Sequence, residues 1–166
     1  GELNSTTFIN NIASNSGGAV YWNADEGLIF NCDFTYNSAG KYGGALLWSS
    51  YGEISLCDFT NNKVLDGQGG AVYKTKYEST EFSNCNFINN TATYGGAMTI
   101  ETCDHDSIAD CIFNNNHAQF GDAIEWYDYL CAIIDTRFNN EITGYDKYFH
   151  INNKLIPTFN IRVDDI

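Results

Sequence analysis

A repeat of 26 residues constrains this chain more than any other feature of its sequence. Each copy is marked by a Gly-Gly-Ala triplet, and a degenerate Gly-Asp-Ala keeps the spacing in the last copy. The first glycines of these triplets are Gly17, Gly43, Gly69, Gly95 and Gly121. A period between about 20 and 50 residues is typical of solenoid proteins, in which each repeat packs on the next. The repeat therefore predicts a stack of about five to six coils.

Three further rows of equivalent residues run between the triplets. Aromatic residues are each followed three positions later by asparagine: Phe34 with Asn37, Phe59 with Asn62, Phe87 with Asn90, Phe113 with Asn116. A hydrophobic residue always stands three positions after the first glycine: Val20, Leu46, Val72, Met98, Ile124. The hydrophobic and phenylalanine rows predict the core. The asparagines either form a ladder of amide hydrogen bonds between coils about 4.8 Å apart or simply favour a turn.

Short strands joined by turns account for the composition. The chain has 15 Gly, one Pro and many Asn, Tyr, Phe and Ile residues, and it lacks long stretches with helical spacing. We interpret it as all-β, with strands of about four to six residues, too short for a βαβ unit. We expect β-helix repeats over 1–138, a C-terminal cap over 139–156, and over 157–166 a strand or linker toward a following domain. The glycine pair is expected to form the tight bend, with Asp122 tolerating the left-handed conformation in the last copy.

The charge balance excludes several classes of partner. The formal net charge is −13 and only eight residues are Lys or Arg. Nucleic acids and anionic membrane surfaces both need a basic footprint, so neither is an expected partner. No apolar run approaches the length of a membrane span, and we expect no insertion of this segment into a membrane.

The cysteines form one row and one possible pair. Four of them stand two residues before the phenylalanine row: Cys32, Cys57, Cys85, Cys111. Neighbours in this row would be close enough for disulfides but with parallel Cβ vectors, so a buried stack of thiols is favoured. A zinc site is disfavoured, because one thiol per repeat gives no Cys-x-x-Cys spacing. Cys103 and Cys131 lie outside the row and could form a disulfide.

Candidate ligand groups are few. Asp104-His105-Asp106 is the only tight acid–histidine–acid cluster; it could bind a divalent cation, but aspartates in turns commonly cap the backbone. Scattered carboxylates could bind Ca²⁺ weakly, although no Asp-x-Asp loop is present. We therefore expect no cofactor and no firm metal site.

Aromatic residues give the best hypothesis for recognition. Five positions after the first glycine stand Trp22, Trp48, Lys74, Ile100 and Trp126, which share parity with the core row; Lys74 is expected to extend its ammonium group to solvent. The row four positions after the first glycine, which contains Tyr21 and Tyr73, is expected to face solvent. These two, with Tyr127 and Tyr129, could stack on sugars or pack on a protein partner. The alternative is a solvated β-surface with aromatic cross-strand pairs.

The combined motif carries a family resemblance. The segment from Cys85 to Met98, Cys-Asn-Phe-Ile-Asn-Asn-Thr-Ala-Thr-Tyr-Gly-Gly-Ala-Met, resembles the repeats of chlamydial polymorphic outer membrane proteins and of adhesin-like surface proteins of methanogenic archaea. The final Pro-Thr-Phe-Asn-Ile-Arg-Val-Asp-Asp-Ile is similar to the start of Ig-like modules in the archaeal proteins. The resemblance covers residues 6–138. It implies a right-handed, single-stranded parallel β-helix of the pectin lyase-like type, displayed extracellularly on a cell surface for adhesion.

Three functions stay open on the sequence. A non-enzymatic adhesin segment that binds a protein or glycan of another cell is favoured, because near-identical coils suit a scaffold more than a single asymmetric site. A polysaccharide lyase or glycoside hydrolase is the second possibility, since fold does not decide function. A purely structural stalk is the third.

Overall fold

The structure is a computed structural model, and it describes residues 1–127, 132–139, 149–151 and 158–162. Within these residues every regular element is a strand, and every strand pairing is parallel. Successive coils therefore lie on top of one another, and each coil passes along four sides of the stack. The expected all-β solenoid of parallel strands is confirmed.

The first two sides belong to one sheet. Side 1 contains β1 (Glu2–Asn4), β5 (Gly27–Phe30), β9 (Gly52–Ser55), β13 (Thr80–Ser83) and β16 (Ser107–Ala109). Side 2 contains β2 (Thr7–Ile9), β6 (Asp33–Thr35), β10 (Asp58–Thr60), β14 (Asn86–Ile88) and β17 (Ile112–Asn114). The long strand β19 (Ala132–Asn139) runs along both sides, because its first half pairs with β16 and its second half with β17.

Two smaller sheets complete the coil. Side 3 contains the two-residue strands β3 (Ile12–Ala13), β7 (Ser38–Ala39) and β11 (Lys63–Val64). Side 4 contains β4 (Val20–Trp22), β8 (Leu46–Trp48), β12 (Val72–Lys74), β15 (Met98–Ile100), β18 (Ile124–Trp126) and β20 (Phe149–Ile151). The triplets lie just before side 4.

Two strands fall within the C-terminal segments that the sequence assigned to a cap and a linker. β20 pairs with β18, and β21 (Thr158–Arg162) pairs with β19. Coil-on-coil pairing thus extends into these segments. The rest of 140–157 and 163–166 lies outside the described residues.

Identical side chains stack in the interior. The phenylalanine rings of neighbouring coils, from Phe8 to Phe138, are parallel, with centroids 4.7 to 5.0 Å apart. The asparagine ladder is present: the side-chain amide of Asn37 donates to Asn62 Oδ1 at 3.0 Å, Asn62 to Asn90 at 3.1 Å, and Asn90 to Asn116 at 3.0 Å. Each interior amide also bonds a backbone carbonyl, as Asn62 does with Phe34 at 2.9 Å. The ladder therefore satisfies polar groups that burial would otherwise leave unpaired.

The cysteine row is a column of free thiols. Cys32, Cys57, Cys85 and Cys111 are buried and unbridged. Each thiol donates to the carbonyl oxygen two residues earlier, as Cys57 does to Ser55 at 3.1 Å. Cys103 is disulfide-bonded, and Cys131, the partner that the sequence suggests, lies outside the described residues.

The two glycines of each Gly-Gly-Ala triplet have different structural roles. The first has a left-handed backbone, with φ between 59° and 68° at Gly17, Gly43, Gly69, Gly95 and Gly121. The second is needed for close approach, because a Cβ added at Gly44 would lie 2.0 Å from the carbonyl oxygen of Gly70 in the next coil. Asp122 does not use the left-handed conformation that the sequence suggested it could tolerate, because Gly121 has the positive φ in this copy.

Candidate functional site

Aromatic side chains from the turns cover the outer surface of side 4. The residues just before the glycine pairs form parallel bridges from coil to coil: Ser16, Tyr42, Gln68, Tyr94, Phe120. The ring of Tyr42 packs on that of Tyr73 in β12, with centroids 4.7 Å apart, and Tyr94 stacks on Phe120 at 5.1 Å. We call this surface the aromatic face. Its residues are Tyr21, Tyr42, Tyr73, Tyr94, Phe120 and Tyr127.

The residues predicted to take part in recognition differ in their exposure to solvent. Tyr21 is 57% exposed and Tyr127 is half-buried, whereas Tyr129 lies outside the described residues. The prediction that Tyr73 faces solvent was wrong, because only 5% of it is exposed. Its side chain does point away from the core, but the ring of Tyr42 covers it. Three others of its row are buried too: Leu47, Thr99 and Glu125.

Two carboxylates border the rings of this face. Glu101 accepts a hydrogen bond from Thr75 Oγ1 at 2.6 Å, and it is also the acidic neighbour of the Tyr73 phenol. Burial, followed by the contact with Glu101, raises the pKa of Tyr73 far above its usual value. Burial and neighbouring Glu125 likewise raise the pKa of Tyr127 to about 12. These phenols stay protonated at neutral pH, so the face offers flat rings beside hydrogen-bond donors and carboxylate acceptors.

The acid–histidine–acid cluster is divided by burial. Asp104 and His105 contact each other at the surface, with Oδ1 and Nδ1 2.8 Å apart, while Asp106 is buried. Asp106 Oδ1 accepts the backbone N–H of Thr80 at 2.6 Å, which is the backbone contact expected of a turn aspartate. Its other oxygen lies 2.7 Å from Lys74 Nζ. The three side chains therefore do not converge on a common point.

The expectation that Lys74 reaches solvent was wrong. Its side chain is fully buried, like those of its row mates Trp48, Ile100 and Trp126. The row points into the coil, and the ammonium group finds Asp106 and the carbonyl oxygen of Thr102 there. These two groups take the place that water would have around an exposed ammonium group.

No metal centre is assembled by the described residues, which contain no group of three or more His, Cys, Asp or Glu side chains able to hold an ion. Of the scattered carboxylates, Asp25 pairs with Lys76 at 3.1 Å and Asp122 accepts the backbone N–H of Ala118 at 2.7 Å. A shallow groove of about 550 Å³ on the first coils is bordered by Glu2, Glu26 and Glu53.

Sequence reasoning missed part of the aromatic face. Tyr42, Tyr94 and Phe120 are not among the residues predicted to take part in recognition. The available signal was their position: an aromatic residue stands directly before the glycine pair in three of five repeats. Glu101 was missed because its role depends on the buried hydroxyl of Tyr73.

Comparison with known proteins supports the architecture. Residues 2–154 match the family described as right handed beta helix region. The chain is also similar to the probable autotransporter YfaL of Escherichia coli (strain K12), with 34% identity over 102 residues, or 55% of this chain and 8% of that protein. No solved structure matches the chain. None of the described residues forms a helix long and apolar enough to cross a membrane. Because the family match agrees with the stacked parallel strands, the chain belongs to the right-handed β-helix family.

Proposed function

We propose that this chain is a non-enzymatic segment of an extracellular cell-surface adhesin, and that its aromatic face binds a glycan or protein of another cell. The observation that carries the proposal is the aromatic face itself. The similarity to part of a probable autotransporter supports a surface location. The resemblance to adhesin-like archaeal proteins and chlamydial polymorphic outer membrane proteins supports it as well.

The chemistry of the face favours neutral sugars among the possible ligands. Sugar rings pack their C–H surfaces on aromatic rings, and half-buried Tyr42, Tyr94 and Phe120 expose ring surface in three of the five coils of their row. The carboxylate of Glu101 can accept sugar hydroxyls. The net charge of −13 would repel acidic polysaccharides.

The face can be tested by substitutions that copy the chain's own repeats. Gln68 occupies the same row as Tyr42 and Tyr94, so Tyr42→Gln and Tyr94→Gln should keep the coil while removing the rings. On an array of neutral and acidic glycans, and on intact cells, we expect each change to weaken binding about fivefold, since a lost stacking contact costs about 1 kcal/mol.

The matched control removes an exposed ring elsewhere. Tyr36 is 58% exposed in a turn between sides 2 and 3, in a row where other coils carry Asn10, Asn61 and Asn89. Tyr36→Asn should leave binding unchanged. Equal losses in the control and in the face variants would show that the face is not the binding surface. Absence of any binding by the wild-type protein would favour the structural stalk.

One observation keeps the enzymatic alternative worth an assay. Glu125 lies beside the phenol of Tyr127, Glu101 is near enough to act on it electrostatically, and a glycosidase needs two carboxylates at one cleft. Turnover of neutral oligosaccharides that is lost in Glu101→Gln or Glu125→Gln would establish an enzyme and overturn the adhesin proposal. We expect no turnover from the wild-type protein.

A further inference from the structure

A lysine and an aspartate are enclosed together inside the solenoid. Lys74 ends β12 on side 4, and Asp106 precedes β16 in the following coil. Nζ of Lys74 lies 2.7 Å from Oδ2 of Asp106, and both side chains are 0% exposed. Lysine and aspartate are almost never fully buried unless they are paired. The burial of Lys74 and Asp106 therefore depends on their contact with each other.

The preceding coil has a different pair at the same place. There Trp48 Nε1 donates to Thr80 Oγ1 at 3.0 Å, and the two residues are 32 apart, as are Lys74 and Asp106. The strand register matches as well: Trp48 pairs with Lys74 along side 4. The fold thus accepts a neutral pair here, so the coil architecture does not itself require the charged one.

The buried site disfavours the charges of Lys74 and Asp106. Burial raises the pKa of Asp106 to about 6, although the neighbouring Lys74 and the Thr80 N–H act in the opposite direction. Removing both ions from water carries a desolvation cost that their attraction repays only in part. A reaction that removes both charges would relieve this cost.

The contacts around the pair are those that amide formation needs. The backbone N–H of Thr80 donates to Asp106 Oδ1 at 2.6 Å and so polarises the carboxyl group, as a donor in an oxyanion hole does. Lys74 Nζ also donates to the carbonyl oxygen of Thr102 at 2.8 Å, which fixes the nitrogen. Enclosed groups held in contact react with a very high effective concentration.

We propose that Lys74 and Asp106 join in an intramolecular isopeptide bond. The Nζ–Cγ bond forms and the Cγ–Oδ2 bond breaks. The ammonium nitrogen loses two protons, both of which go to Oδ2, and Oδ2 leaves as water. No oxidant, metal or other reactant is required. The product keeps one N–H for Thr102 and keeps Oδ1 as the acceptor for Thr80, so both hydrogen bonds survive while both charges disappear.

The bond would tie neighbouring coils covalently. Parallel strands of a solenoid are otherwise held only by hydrogen bonds and packing between adjacent coils. The crosslink closes a loop of the chain between residues 74 and 106, and it lies three residues from disulfide-bonded Cys103. Both crosslinks fix the same turn region, which would resist unwinding of the coils.

The intact mass of the purified wild-type chain tests the proposal directly. After full reduction of the disulfide, we expect a mass lower than that of the sequence by one water molecule. Proteolysis should then give a branched peptide containing Lys74 and Asp106, identified by tandem mass spectrometry. A chain of full mass, or a water loss located in a linear peptide, would overturn the proposal.

A variant with the preceding coil's pair provides the control. In the double variant Lys74→Trp with Asp106→Thr, the site carries the combination found at Trp48 and Thr80, so the coil should still fold. We expect its mass to equal that of its sequence, with no branched peptide. If the variant shows the same water loss, the crosslink lies elsewhere and the assignment to Lys74 and Asp106 is refuted.

Discussion

Leu56 occupies a backbone conformation that suits few side chains. It lies in the turn between sides 1 and 2 with φ of 52°, in a row where other coils place Ser5, Asn31, Asn84 and Asp110 with similar φ values. A left-handed conformation costs most L-residues about 1–2 kcal/mol, whereas asparagine adopts it more readily. We predict that Leu56→Asn raises the free energy of unfolding by about 1 kcal/mol. Urea denaturation followed by circular dichroism measures the change.

The control for this prediction is another exposed leucine. Leu65 is 77% exposed and is not among the residues with positive φ. Leu65→Asn should leave the unfolding midpoint unchanged. Equal stabilisation by both substitutions would mean that the gain comes from removing an exposed apolar side chain, not from relief of backbone strain.

At single positions, the sequence is informative where all coils agree and misleading where one differs. Phe59 and Asn62 repeat in every neighbouring coil, so their buried stacks could be predicted from spacing alone. Lys74 could not be placed, because its partner Asp106 is not one period away and the two meet only when successive coils stack. The direction of Tyr73 followed from strand parity, but its burial depends on the path of the turn that carries Tyr42.

The asparagine ladder links successive coils through buried hydrogen bonds. Within it, the side chain of Asn62 makes four hydrogen bonds: it donates to Phe34 O and Asn90 Oδ1 and accepts from the backbone and side-chain N–H groups of Asn37. All of these groups are buried. Asn62→Ala should lower the free energy of unfolding by about 3 kcal/mol, because a buried polar group without a partner costs about 1–3 kcal/mol. Equilibrium denaturation measures the loss.

Asn11 serves as a comparison at the end of the same ladder. Its side-chain amide makes one hydrogen bond to another rung, to Asn37 Oδ1 at 2.9 Å, and the residue is half-buried. Asn11→Ala should cost only about 1 kcal/mol. If the two substitutions destabilise the protein equally, the ladder does not act through its buried hydrogen bonds, and the asparagines matter only as turn residues.

On the scale of the whole molecule, stability should vary along the stack. Each coil of a solenoid contacts only its neighbours, so its stability is the sum of intrinsic and nearest-neighbour terms. The core residues of the first coil are only partly buried: Leu3, Phe8, Ala19, Val20 and Trp22. From Ile29 onward the equivalent positions are completely covered. The first coils should therefore open more often than the central ones.

The free thiols report this gradient, because each is buried and reacts only when its coil opens. Cys32 lies in the second coil, and Cys85 lies two coils farther into the stack. We predict that iodoacetamide, added without denaturant, labels Cys32 at least about tenfold faster, since about 1.4 kcal/mol of difference in opening free energy gives that ratio. Peptide mass spectrometry follows both sites in one sample, and labelling in guanidinium corrects for intrinsic reactivity. Equal native rates would instead mean that the coils open together, as one cooperative unit coupled from end to end by the phenylalanine and asparagine stacks.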